Sequence, residues 1–195
     1  MNNLINLFLE FGKKKTYKAN DVIFNENDIC DTVGFIFKGK IKISTFSSNE
    51  GEVVINLLSK NEFFGDLLLF SNRPYYYGMA IAQEATIVYF LSKNNLLKFF
   101  KEDSKLLEEF LMLVTNKGVL LKQTNKLLAH KNIEERLIYY LNHICKKDED
   151  GNIYFKSVTD MANILSIPRP SLSRVLHKME KEKKIKINNH KIKLD

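Results

Sequence analysis

Tryptophan is absent from this 195-residue chain, proline occurs three times and glycine eight times. So few chain breakers exclude long disordered or low-complexity segments. Cysteine occurs twice, at Cys30 and Cys145, far apart and outside any CxxC spacing, so neither a disulfide framework nor a four-cysteine cluster can be assembled. Two silent thiols in a reducing cytosol are the expectation, with a thiol switch at Cys30 as the other reading. The four histidines, His130, His143, His177 and His190, all lie beyond residue 129. The first two-thirds therefore lacks both a histidine cluster for a β-barrel metalloenzyme and an axial histidine for haem sensing. No Ser-His-Asp set or carboxylate pair stands out. A non-enzyme without metal or cofactor is expected. No apolar run is long enough to span a membrane. Residues 1–12 lack a basic start and a cleavage site; Leu4, Phe8 and Phe11 at helical spacing suggest an amphipathic cap helix, and a cytoplasmic location is expected.

What the chain does have is an excess of positive charge, +7 overall, and it is unevenly placed. Residues 131–195 hold 14 Lys and Arg against 9 Asp and Glu. A small basic region beside a larger, nearly neutral one suits a polyanionic partner. A solvated lysine-rich surface would show the same charge.

Hydrophobic periodicity divides the chain in two ways. From residue 15 to 91 the period is two. Segments 22–24, 33–38, 40–45, 53–58, 75–82 and 86–91 are short, rich in β-branched and aromatic residues, and predict strands. Turn chemistry separates them at 25–28, 38–40, 47–51 and 71–74. Many short strands at this spacing predict a sandwich or jelly roll. After residue 92 the period becomes helical. Residues 95–100 predict a short helix, and Ser104 is the expected N-cap of a long one reaching about Ala129. Its apolar residues cover more than one stripe, so it needs a second surface. Leu107, Val114, Leu121 and Leu128 recur every seven residues, and with Phe110 form the expected dimer seam. Packing within a monomer is the alternative. Residues 133–144 predict a further helix, with Ile133, Leu137, Tyr140, Leu141 and Ile144 on one face.

The stretch 157–181 has the form of two short helices joined by a tight turn. Ser157 and Asp160 make a capping box. Met161, Ile164 and Leu165 share a face, and Ala162 is small where helices would cross. Pro168 ends the first helix through its effect on Ile167, and Pro168 and Pro170 suit the first turn of the second. Leu172, Val175, Leu176 and Met179 give that helix its buried side, leaving Arg169, Ser171, Ser173 and Arg174 elsewhere. Arginine and hydroxyls on the N-terminal half of a helix suit the DNA major groove. Residues 184–187 and 190–194, with a turn at Asn188-Asn189, predict a hairpin with Ile and Leu inward and Lys outward, the wing of a winged helix-turn-helix. Lys191 and Lys193 are candidate phosphate contacts that position without reading sequence, and Lys178 and Ser157 are further candidate DNA contacts.

A β-roll, a long helix and a winged helix-turn-helix, in this order, resemble the catabolite-activator/FNR (Crp/Fnr) superfamily of bacterial transcription regulators over nearly the whole chain. Phe35-Ile36-Phe37-Lys38-Gly39-Lys40-Ile41 looks like the family's strand-glycine-strand turn. Asn61-Glu62-Phe63-Phe64-Gly65-Asp66 resembles its phosphate-loop entrance, and Glu134-Glu135-Arg136-Leu137 its first DNA-domain helix. The resemblance implies an α+β fold. Residues 1–129 would be a cyclic-nucleotide-binding-like β-roll sensor with a dimerisation helix at about 104–129, and 130–195 a winged helix-turn-helix domain. It implies a homodimeric, sequence-specific regulator of transcription that binds a near-palindromic operator on double-stranded DNA, with RNA polymerase as a partner. Where cyclic-AMP-binding members carry an Arg-Ser pair, this chain has Tyr75-Tyr76-Tyr77-Gly78, so cyclic AMP is not expected as an effector, and whether another small molecule takes its place is open. Gly65, Asp66, Leu67, Tyr76, Tyr77, Leu121 and Lys122 would line its pocket, or the tyrosines would fill it. Ser166 stands where many members have glycine, and Pro170 where the best-known members have a cytosine-reading glutamate. A regulatory subunit that docks a protein without binding DNA is the rival reading.

Overall fold

Short alternating strands dominate the first half of the computed structural model, which describes residues 2–47 and 51–194. A helix α1 (Asn2–Phe11) precedes β1 (Lys13–Tyr17), β2 (Val22–Phe24), β3 (Thr32–Lys38), β4 (Lys40–Ser47), β5 (Gly51–Ser59), β6 (Phe63–Phe64), β7 (Met79–Ala82) and β8 (Thr86–Ser92). They form two antiparallel four-stranded sheets, ordered β1-β8-β3-β6 and β2-β7-β4-β5. Side-chain alternation separates two cores. Ile36 and Val88 face Ile41, Phe64 and Tyr76 between the sheets. Val33, Phe35 and Leu91 face the other way, onto Leu4, Phe8 and the following helices. Truncating a ring such as Phe35, which is 1% exposed, costs about 3–5 kcal/mol in such a setting.

Several expectations shift here. The strand expected at 75–82 starts only at Met79. Its earlier backbone groups bond instead to the β2–β3 loop: Tyr76 N–H donates to Asp28 O (3.0 Å), Asn27 N–H to Tyr76 O (2.8 Å) and Cys30 N–H to Pro74 O (2.6 Å). β1 and the two-residue β6 carry no clear period in the sequence. Part of the turn expected at 47–51 (residues 48–50) lies outside the described residues. In α1 it is Leu4, Leu7 and Phe8 that are buried, while Phe11 is half exposed beside Phe99.

Two helices follow, α2 (Lys93–Glu102) and α3 (Ser104–Ala129). Ser92 caps α2, its Oγ accepting from Asn95 N–H. The cap of α3 is Asp103 rather than Ser104, since Asp103 Oδ1 accepts from Lys105 N–H (2.8 Å). The chain divides within α3 into compact units Met1–Asn116 and Lys117–Asp195. In the first unit Leu106, Phe110 and Leu113 are buried in the core. Phe110 therefore does not belong to the expected dimer seam, whereas Leu107 and Leu111 stay exposed. In the second unit Leu127 is buried, and Leu120, Leu121 and Leu128 are exposed.

The second unit continues with α4 (Ile133–His143), β9 (Asn152–Tyr154), α5 (Val158–Leu165), α6 (Arg169–Lys181), β10 (Ile185–Asn188) and β11 (Lys191–Leu194). Its sheet is ordered β10-β11-β9. Leu137, Leu141, Met161, Ala162, Leu165, Leu172, Leu176, Met179, Ile185 and Ile192 form one core. Ile164, expected to be buried beside Met161, is 47% exposed. Asn188 pairs with Lys191, so the hairpin turns at Asn189-His190, one residue later than expected, with Asn189 at φ 53°. Asparagine tolerates this left-handed conformation better than most residues.

Candidate nucleic-acid interface and effector pocket

The helix-turn-helix is built from short-range bonds. Ser157 Oγ accepts from Asp160 N–H (3.0 Å) and donates to Asp160 Oδ2 (2.7 Å). Its hydroxyl is thus committed to starting α5, although Ser157 was a candidate DNA contact. Ser166 ends α5 at φ 52°, ψ 48°. Ser166 N–H donates to Asn163 O and Ile167 N–H to Ala162 O, the paired bonds that close a helix through one left-handed residue. Serine therefore performs the turn that glycine performs at less strain. Pro168 is the N-cap of α6, with Pro170 in its first turn and no side-chain cap. The positive end of α6 is consequently open to an anion.

Leu172, Leu176 and Met179 hold α6 to the core, which turns Arg169 and Arg174 to solvent and leaves Ser171 and Ser173 half-buried. Arg174 Nε makes one long hydrogen bond, to Pro170 O (3.3 Å). Both terminal nitrogens of its fork stay available for a base edge. Lys191 and Lys193 are exposed on β11, with Lys191 Nζ 5.0 Å from the Tyr154 ring centroid. Lys178 is different. It is ion-paired to Glu134 (2.9 Å) and Glu182 (3.7 Å), and Lys184 reaches the same Glu134 (2.5 Å). Hydrogen bonds from Lys184 and Lys178 hold the Glu134 carboxyl below its ordinary range. Much of the Lys178 charge is already matched inside the protein.

Sequence reasoning missed two residues of this unit. Glu134 joins α4, α6 and the start of the wing. Arg136 donates from Nη1 to Leu165 O (2.9 Å), and from Nε and Nη2 to His130 O (3.3 and 2.9 Å). One guanidinium thereby fixes the segment after α3 to the last carbonyl of α5, beside the Ser166 turn. Their place in the Glu134-Glu135-Arg136-Leu137 motif was the available signal; their partners, 29 to 50 residues away, were not.

In the β-roll, Gly65 adopts φ 77°, and a Cβ there would come within 2.7 Å of Thr32 O. Its carbonyl accepts from the amides of Leu68 and Leu69 and lies 3.5 Å from Cys30 Sγ. Asp66 beside it is 4% exposed. Tyr76 stacks on Phe24 with centroids 3.6 Å apart, so its ring is packed inside the roll. Tyr77 and Leu67 point outward, being 67% and 41% exposed. Burial raises the titration of the Tyr76 hydroxyl, and of the Cys30 thiol, which stays protonated. That protects Cys30 from the thiolate chemistry a redox switch needs. Leu121 and Lys122 are exposed residues of the second unit.

Comparison with known proteins agrees with this geometry. Residues 14–103 match the "Cyclic nucleotide-binding domain" profile and residues 135–195 the "Crp-like helix-turn-helix domain" profile. The chain belongs to the Crp/Fnr family. It is 26% identical over 185 residues to the global nitrogen regulator of Nostoc sp., covering 91% of this chain and 83% of that protein. The cAMP-activated global transcriptional regulator Vfr of Pseudomonas aeruginosa is 24% identical over 179 residues, covering 87% and 83%. Among solved structures, CprK complexed with OCPA has a TM-score of 0.73 at 18% identity, covering 98% of this chain and 88% of CprK. As a Crp/Fnr protein with this helix-turn-helix, the chain is a DNA-binding transcription regulator. Among the described residues no helix is long and apolar enough to cross a membrane.

Proposed function

We propose that this Crp/Fnr protein works in the cytoplasm as a homodimer on a near-palindromic operator, reading bases with α6 and acting through RNA polymerase. The observation that carries the reading is the free fork of Arg174, on a helix whose opposite face is anchored by Leu172, Leu176 and Met179. Arg169, Ser171, Ser173 and Arg174 supply the base-reading surface. Lys191 and Lys193 supply phosphate contacts. Two copies of α6 related by a two-fold axis would enter successive major grooves about 34 Å apart. The exposed run of Leu107, Leu111, Leu121 and Leu128 on α3 supports pairing of two such helices. Functionally the boundary falls after Ala129, with the sensor and α3 before it.

Any effector is a molecule other than cyclic AMP. Tyr76 occupies the stretch where the phosphate-gripping pair would stand, and it packs on Phe24. A phosphodiester there would lack charge-assisted hydrogen bonds worth about 1.5–3 kcal/mol each. The test is selection of the purified protein on random duplexes at physiological salt without added effector. An enriched inverted repeat is expected. Binding that is purely salt-sensitive, with no enrichment, would point to a missing effector; no binding at low salt would refute the DNA role in favour of a protein-docking subunit.

A further inference from the structure

β1 and β2 end their respective sheets, so the roll is open between them. Lys13, Lys15 and Tyr17 lie opposite Phe90, Val88 and Thr86 of β8. Directly opposed residues share a face, and Val88 belongs to the core between the sheets. The two lysines, both exposed, therefore border the roll's open edge, where a cavity of about 460 Å³ lies. Rings of Tyr17, Phe24, Tyr76 and Phe90 line it, and Asp28 and Asp31 line it as well. Lys15 Nζ is 5.4 Å from the Phe90 ring centroid. Among the described residues, no ion pair joins either lysine to either aspartate. Gly65, Asp66 and Tyr77 do not line this cavity, whereas Tyr76, stacked on Phe24, forms part of its wall.

Charges of both signs that share a cavity without neutralising each other are complementary to a zwitterion, and a wall of rings to an aromatic group. The volume falls in the usual range for small-molecule sites, about 300–1,000 Å³. We infer that the open β1–β2 edge of the roll binds a free aromatic amino acid, its carboxylate at Lys13 and Lys15, its ammonium at Asp31 and its ring against Phe90. Lysines on an edge strand can also serve only to block unwanted strand pairing. That role requires neither the aspartates nor a cavity.

The test is calorimetric titration of the full chain with L-phenylalanine, 3-phenylpropionate, which lacks the ammonium, and phenethylamine, which lacks the carboxylate. Phenylalanine is expected to bind saturably, and each analogue about tenfold or more weakly, the usual effect of losing one charge-assisted contact. Lys15→Gln is expected to weaken phenylalanine and phenylpropionate but to leave phenethylamine unchanged. Asp31→Asn is expected to give the mirror pattern, and Lys13→Gln provides a second cationic variant should Lys15→Gln fail to fold. No saturable heat up to roughly 10 mM, ten times a millimolar dissociation constant, would overturn the inference. So would binding of phenylalanine that none of the three substitutions alters, which would leave the lysines as edge guards.

Discussion

Replacing Arg174 with alanine separates DNA reading from folding more cleanly than any other change in the second unit. Within the protein the side chain makes one long bond, Nε to Pro170 O at 3.3 Å, and is otherwise exposed. Alanine is also the better helix former. The change in unfolding free energy should stay within about 0.5 kcal/mol. On DNA the lost group is a bidentate contact worth about 1–3 kcal/mol per half-site. A two-fold dimer loses it twice, about 2–6 kcal/mol, or roughly 30-fold to 10⁴-fold in affinity. Random duplex should lose only about tenfold or less, because a phosphate contact is one charge among several. Fluorescence anisotropy on the selected operator and on a scrambled duplex, at the same salt, measures both. Arg174→Lys should recover binding to the scrambled duplex but not to the operator, since an ammonium cannot form the fork. Equal losses on the two duplexes, or full rescue by lysine, would refute a base-reading role.

Converting both Lys191 and Lys193 to glutamine should weaken operator and scrambled DNA alike and flatten the log–log salt dependence by roughly 3 to 4 for the dimer, at about 0.9 per phosphate contact; an unchanged slope would count against the wing. Ser166→Gly should raise stability by about 1 kcal/mol, because glycine adopts φ 52° without the strain serine bears there, and urea unfolding would show it as a higher midpoint. Arg136→Ala should lower stability by about 2–3 kcal/mol, since two carbonyls lose charge-assisted donors, again read by urea unfolding. Acid should weaken the second unit through Glu134. Its folded titration is lowered, so its contribution is present above the unfolded glutamate value of about 4.3 and is lost as pH falls through the lower folded value. Comparing unfolding midpoints at about pH 7 and pH 3 should therefore show a smaller drop in Glu134→Gln than in the parent chain.

Local chemistry made the helix-turn-helix legible. Ser157 and Asp160, Ser166, and Pro168 with Pro170 act on chain within a few residues of themselves, so their order dictates start, turn and restart wherever the segment is placed. The strand–glycine–strand turn at Gly39 and the run of strands were legible for the same reason. Period alone could not decide between neighbours. Which leucines of α3 are buried, Leu106 and Leu113 rather than Leu107 and Leu111, depends on what packs beside each helical face. Phe110 moved from the expected seam into the core on that account, and Ile164 moved out of it. Long-range partners were invisible too: Glu134 meets Lys178 and Lys184, and Arg136 meets Leu165 O, across gaps that no spacing rule spans.

By itself the sequence determined the order of most elements, the helix-turn-helix with its arginines outward, and the absence of histidine and cysteine clusters in the roll, because composition, caps and turns act locally. Tertiary structure alone decided that Tyr76 packs inside the roll on Phe24 and that Lys178 is held by Glu134. It also brought Lys13 and Lys15 to an open edge beside Asp28 and Asp31. Each of these outcomes depends on which distant strand or helix lies alongside, and packing settles that only once the whole chain has folded.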